Sequence, residues 1–230
     1  MENKQVWLIT AKTNLHVGNE NTSSYGIIDK SVQRDALTNL PCINSSSLKG
    51  ALNEYFSVKE KGKLDMVNVF GSDKTGVIKD TQKGSTVFFD ANILFIPVQS
   101  NEELYSLATC NSVLDKFRSR MEAFGIPCES KNEELFAKLK MKFPKAKLIE
   151  DRCFIDSCED DNLPIIARNR LDNGESANLW YEQILPSETV FYTIFLSKEK
   201  SIDEELLEKK IVQIGANATI GYGYCMFNQF

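Results

Sequence analysis

The stretch "SYGIIDKSVQRDALTNLPC", residues 24–42, holds two carboxylates that could do acid–base or metal chemistry, Asp29 and Asp35. It begins near a glycine, ends near a proline and has no helical period, so both acids sit in what reads as a loop. Nothing in the spacing fixes the geometry of a hydrolytic pair, and taken alone Asp29 reads as a turn residue. His16, the only histidine, offers a general base. Its place near the end of a strand suits a structural role as well, and one histidine excludes a multi-histidine metal site within the chain.

Three further constellations could bind an anion. "SSSLKG" places Ser46, Ser47, free backbone N–H groups and Lys49 at a helix N-terminus, a ready phosphate site. An ordinary helix cap followed by an exposed lysine is the plainer reading. "GANATIGYGYC" carries Gly215, Gly221 and Gly223, whose backbone could approach a ligand closely. It is neither a Walker loop nor a dinucleotide fingerprint, and a tight turn before a strand explains it equally. In "PIIARNRLD", Arg168 and Arg170 alternate on a possible strand and would face one side. Two guanidiniums there suit phosphates or stacked bases, or a solvated strand face. The cysteines 42, 110, 128, 153, 158 and 225 are scattered, and "CFIDSC" lacks the second ligand pair that zinc needs, so reduced thiols are expected.

These residues need a scaffold. "QVWLITAKTNLHVG" alternates and predicts a first strand ending near Gly18. Residues 19–44 form a long irregular connection, of the length that is functional or disordered. "NSSSLKGALNEYFSVKE" predicts a helix with serines at its cap, and Gly50 inside it suggests a close approach. "VFGSDKTG" reads as a turn and "STVFFDANILFIPV" as one strand, while residues 101–121 and 133–142 carry helical periods. "KLIEDRCFIDSCEDDNLPIIARNRLDNGES" reads as an inserted hairpin or extension. "ETVFYTIFLS" predicts a strand and "SIDEELLEKKIVQIG" a helix, before a glycine-rich loop and a last strand. The order is α+β with an antiparallel sheet, in the manner of a ferredoxin-like or RRM-like core with helices on one face.

With 230 residues, 42% of them hydrophobic and 26% charged, the chain can bury a sizeable core and is not broadly disordered. No apolar run is long enough to span a bilayer and "MENKQVWLIT" has no leader-like pattern, so a cytoplasmic protein is expected. The net charge of −5 argues against indiscriminate nucleic-acid binding, which needs a basic excess or a local basic stripe.

Taken together, "LHVG", "GIIDKSVQRDALTNLPCINSSSLKGAL", "VFGS", "STVFFDANILFIPV", "RNRLDNGESANLWYEQILPSETVFY" and "VQIGANATIGYGYC" fall in an order that resembles one family. It is the RAMP-superfamily backbone subunit of type III-B CRISPR (Cmr) effector complexes, their fourth subunit. "LWYEQILPSETVF" and "IGANATIGYG" separate it from the type III-A (Csm) equivalent, which is similar in "SSLKG" and in the aspartate loop. Residues 101–160 match weakly and are shorter than is usual.

The resemblance implies a single domain over 1–230: an RRM-like palm, an inserted helical region and a thumb hairpin at approximately 150–178. It implies copies stacked along a guide RNA with the other Cmr subunits, each thumb kinking guide and target, and the target RNA cut there at regular intervals. By position in the motif, Asp29 is the residue needed for cutting, with Mg2+ or another divalent cation. The RNA's own 2′-hydroxyl would attack the adjacent phosphate, and the isolated subunit would cut little. His16, Tyr181 and Glu182 lie in matching motifs as auxiliary candidates. Ser46, Ser47, Lys49 and the loop of Gly215, Gly221 and Gly223 would hold the guide backbone, with Arg168 and Arg170 at the thumb. In this scheme Ile27 and Ile28 anchor the loop, and base pairing supplies the specificity. A purely structural RNA-binding filament subunit with an inert Asp29, and the type III-A (Csm) backbone equivalent, are the competing readings.

Overall fold

The computed structural model describes residues 3–18, 28–72, 82–197 and 202–230. Gly26 and Ile27 of the turn before Asp29, and residues 73–76 of the "VFGSDKTG" turn, lie outside them. The first strand, β1 (Asn3–Ala11), is buried from Gln5 onward on both faces, which makes it the middle of the molecule. A short β2 (Cys42–Ile43) leads into helix α1 (Ser45–Val58) and the brief α2 (Met66–Phe70). Then come β3 (Thr86–Phe88), β4 (Ala91–Val98), β5 (Ser106–Thr109), α3 (Asn111–Ala123), α4 (Asn132–Lys142), β6 (Ala146–Leu148) and α5 (Asp151–Cys158). The last third holds β7 (Ile165–Asp172), β8 (Glu175–Gln183), β9 (Val190–Ser197), α6 (Glu204–Leu207), β10 (Ile211–Gln213) and β11 (Tyr224–Gln229).

The main sheet runs β10-β11-β1-β9-β4-β5-β6, with β2 joined to β4 and β3 to β9. All its pairings are antiparallel except β5 with β6. On one face Trp7 meets Phe195 and Phe227, and rings continue through Phe88 and Phe70 to Phe56 of α1. On the opposite face, Phe117 of α3 packs edge-on against Tyr192, and Phe143, just after α4, meets Phe95. The α+β antiparallel architecture stands, but helices cover both faces. With both faces of β1 buried, a second helical layer is required to cover the sheet.

Several local expectations change, and the first strand ends at Ala11 rather than near Gly18. The "STVFFDANILFIPV" run is two strands, because the chain breaks at Phe89–Asp90 and β3 and β4 pair with different stretches of the same edge of β9, the edge away from β1. Residues 106–109, inside the first helical window, form the buried strand β5. The "SIDEELLEKKIVQIG" helix stops after one turn, and the β-branched Ile211 and Val212 join β11 as an edge strand. The segment 150–178 divides: α5 buries Phe154 and Cys158 in the core, and the projecting hairpin is β7–β8, residues 165–183. That hairpin forms its own two-stranded sheet, closed by Asn173 and Gly174, both at positive φ as a two-residue hairpin turn requires.

Candidate active site

Asp29 sits at the base of this hairpin. The segment that carries it runs alongside β8, with Lys30 bridged to Glu182 in parallel fashion. The Tyr181 carbonyl accepts from the Asp29 and Lys30 N–H groups at 3.0 and 3.1 Å. In return the Tyr181 N–H donates to Asp29 Oδ2 at 2.7 Å. The Tyr181 backbone thus clasps both the main chain and the side chain of Asp29. Asp29 itself is exposed, and its second carboxylate oxygen has no hydrogen-bond partner among the described residues. Lys30 lies beside it, its ammonium 5.1 Å from the centre of the Trp180 ring.

The auxiliary candidates gather here in different roles. Tyr181 gives its backbone to Asp29 and keeps its side chain 37% exposed on the outer face of β8. Glu182 points the other way and is 1% exposed. Its carboxylate accepts from Asn217 and lies 3.7 Å from Arg168, whose guanidinium stacks 4.6 Å from the Tyr222 ring. His16 is buried, and its Nδ1 donates to the Gln183 carbonyl at 2.7 Å, which fixes the proton on that nitrogen.

The glycine loop packs onto the same corner. Gly215 and Gly223 have positive φ, and a Cβ on either would stand 2.3 Å from the His16 carbonyl oxygen or 2.0 Å from that of Ile214. Their close approach is therefore to the chain's own backbone. Gly221, also at positive φ, has open space where its Cβ would be.

Helix α1 begins at Ser45, so the serines occupy its first turn and Asn44 holds the cap position without a side-chain bond. The Ser45 N–H is taken by Asp90 Oδ1 at 2.6 Å, which places a carboxylate where the helix favours an anion. Ser46 is exposed, Ser47 accepts from Gln33 Nε2 at 3.0 Å, and Lys49 makes no ion pair among the described residues. A Cβ on Gly50 would meet nothing, so that face of the helix is open. Gln33 also donates to the Gly18 carbonyl and accepts from Asn44 N–H. It ties the start of α1 to the 16–18 segment that the glycine loop covers from the other side.

Asp35 is no partner for Asp29. Its carboxylate accepts from the Thr38 N–H and hydroxyl and from Lys116 at 3.0 Å. Burial alone would raise its pKa, but these bonds outweigh it and bring the group down to about 2. Arg170 is exposed on the same strand as Arg168, which is engaged at the hairpin base. All six cysteines are free, and burial pushes the Cys42 and Cys225 thiols up to about 12. No group of three or more His, Cys, Asp or Glu able to hold a metal occurs among the described residues. Asp29 offers a single open oxygen, which fits a cation that takes its remaining ligands from phosphate and water.

The family profile of the RAMP superfamily matches residues 8–226. The chain belongs to the RAMP superfamily. Among curated proteins it is similar to the CRISPR system Cmr endoribonuclease Cmr4 of Pyrococcus furiosus, with 28% identity over 86% of this chain and 87% of the relative. A solved chain of the type III-B Cmr-beta complex bound to cognate target RNA superimposes with a TM-score of 0.75 at 20% identity. That match covers 99% of this RAMP chain and 97% of the other. Oligomeric Cmr4 from Pyrococcus furiosus gives 0.71 at 23%, covering 100% and 98%. At these identities the structural likenesses carry the fold.

The residues that sequence reasoning passed over are the ones that hold the site together: Gln33, Arg34, Asp160, Gln183, Asn217 and Tyr222. Their side chains act between separate segments of the chain, and "WYEQ" and "GANATIGYGYC" drew attention to the strand of Gln183 and the loop of Asn217 and Tyr222 without singling out these side chains.

Proposed function

We propose that this RAMP chain is a repeated backbone subunit of a type III-B CRISPR RNA-guided complex and cuts the target RNA paired with the guide. The observation that carries this reading is Asp29, exposed at the base of a projecting hairpin and held in place by the Tyr181 backbone. The near-full-length similarity to a Cmr endoribonuclease supports it.

The hairpin supplies the distortion. One face of β7–β8 presents Ile165, Leu179 and Tyr181 to solvent, apolar side chains suited to wedging between nucleotides. A splayed nucleotide brings its 2′-hydroxyl into line with the adjacent phosphorus, and most of the rate comes from that alignment. The 2′-oxygen bonds to phosphorus as the bond to the 5′-oxygen breaks, leaving a 2′,3′-cyclic phosphate and a 5′-hydroxyl. Asp29 accepts the 2′-proton, and the departing 5′-oxygen takes one from water. Alternatively, the open oxygen of Asp29 would hold Mg2+ or another divalent cation together with the RNA phosphate, which supplies neutralisation of the developing charge. The guide backbone lies along Ser46, Lys49, Gly221 and Arg170, the members of the expected set that remain open to solvent or free of ion pairs.

In a reconstituted complex, Asp29→Ala is expected to leave target RNA binding intact and to lower cutting about 10²–10⁴-fold. Cutting at the normal rate would make the subunit a structural RNA-binding one. Lost assembly would make Asp29 part of the fold.

A further inference from the structure

We infer that Gln183 is the positioning residue for the loop that carries Asp29, an inference that rests on the catalytic reading of that acid. Gln183 ends β8, two residues beyond the Tyr181 clasp, and is fully buried. Its backbone N–H donates to the Lys30 carbonyl at 2.9 Å, and its own carbonyl accepts from His16 Nδ1 at 2.7 Å. Its side-chain oxygen accepts from the Val32 N–H at 3.1 Å. Its side-chain nitrogen donates to the Asp160 backbone oxygen and to Asp160 Oδ1 at 3.2 and 3.0 Å.

The anchor at the far end is itself fixed. Asp160 Oδ1 lies 2.6 Å from Arg34 Nη2, and Arg34 Nη1 donates to the Cys158 and Asn39 carbonyls. One amide therefore grips the Asp29 segment at Val32 and locks that grip to the turn after α5. The Lys30 and Val32 bonds bracket the residue directly after Asp29 and the one three beyond it. A change of the side chain removes the Val32 and Asp160 bonds and leaves the backbone bond to Lys30 and the Tyr181 clasp to set where the carboxylate points. Displacement of a reacting group by about 1 Å is enough to cost on the order of 10²-fold in rate.

The polarity of the grip gives it a signature. Gln183→Glu keeps the acceptor for Val32 but sets a carboxylate against that of Asp160. Adding Asp160→Asn restores a donor and acceptor with the roles exchanged, and Gln183→Leu removes both halves at similar volume. The experiment reconstitutes complexes with each variant and with Asp29→Ala. It measures target RNA affinity and, separately, the single-turnover cutting rate on bound target.

For Gln183→Leu and Gln183→Glu the expected result is affinity within about twofold and a rate down by about 10- to 100-fold. The double variant should recover most of the rate lost in Gln183→Glu. A normal rate in Gln183→Leu, with Asp29→Ala inactive, would overturn the positioning role alone. Affinity and rate falling together in both single variants, or no recovery in the double variant, would also overturn it. If Asp29→Ala cuts normally, the reading of Asp29 fails first, and that outcome is distinguishable from the others.

Discussion

A glycine can matter to a nucleic-acid site in two ways, by letting a ligand approach or by letting the chain fold against itself. At Gly215 and Gly223 the second applies, since a Cβ there would run into carbonyl oxygens at 2.3 and 2.0 Å. Gly223→Ala should cost roughly 3 kcal/mol or more in chemical denaturation, through the clash and the positive φ together. Gly221→Ala meets no neighbour, so only the backbone penalty of about 1 kcal/mol remains. Any larger loss in Gly221→Ala would appear in guide binding instead. From "GANATIGYGYC" alone the three glycines are indistinguishable. What separates them is how close the 14–17 segment and the start of the loop lie, and nothing local in the sequence encodes that.

At the level of elements, the hairpin presents a stability problem. A two-stranded ribbon on its own is marginal in water, so its orientation has to come from the base. Arg168 contributes there, between Glu182 and the Tyr222 ring, whereas Arg170 points into solvent. Arg168→Ala leaves the buried Glu182 carboxylate with Asn217 but without its cation. The hairpin should then open more often, read as faster hydrogen exchange or proteolysis within residues 165–183. Arg170→Ala should leave that exchange unchanged and instead weaken guide binding with a shallower salt dependence. The alternation of the two arginines on one strand was legible in the sequence. Their different employments were not, because Glu182 and Tyr222 reach Arg168 from other parts of the chain. The same limit explains the helix expected over residues 201–215. Its acidic start was legible, but the pairing of Ile211–Gln213 with β11 is a tertiary choice that local periodicity does not contain.

On the scale of the whole molecule, a net charge of −5 gives no basic excess, and some of the chain's acids are spent on internal ties. Asp35 is one of those spent acids, joining the loop to α3 through Lys116. Its folded pKa, about 2, lies below the ordinary value of 3.8, so its contribution to stability is fully present above about pH 4 and fades as the pH falls toward 2. The stability gap between the natural chain and Asp35→Asn should therefore narrow across that window, which thermal melts at stepped pH would record. No helix among the described residues is long and apolar enough to cross a membrane. The order of elements gave the antiparallel α+β architecture, and the order of motifs drew attention to Asp29. The second helical layer and the polar ties around Gln183 emerged only with the fold, since both depend on which distant segments meet.

The Asn173–Gly174 turn lies at the far end of the hairpin from Asp29 and the Gln183 ties. The tip is thereby separable from the Asp29 corner, which makes the hairpin's length an adjustable dimension. Inserting two residues into each strand next to the turn would extend the tip by about 6.6 Å and keep every side chain on its present face. Inserting one in each would turn the added pair's neighbours over. A ruler of graded lengths could thus be built on one unchanged hairpin base.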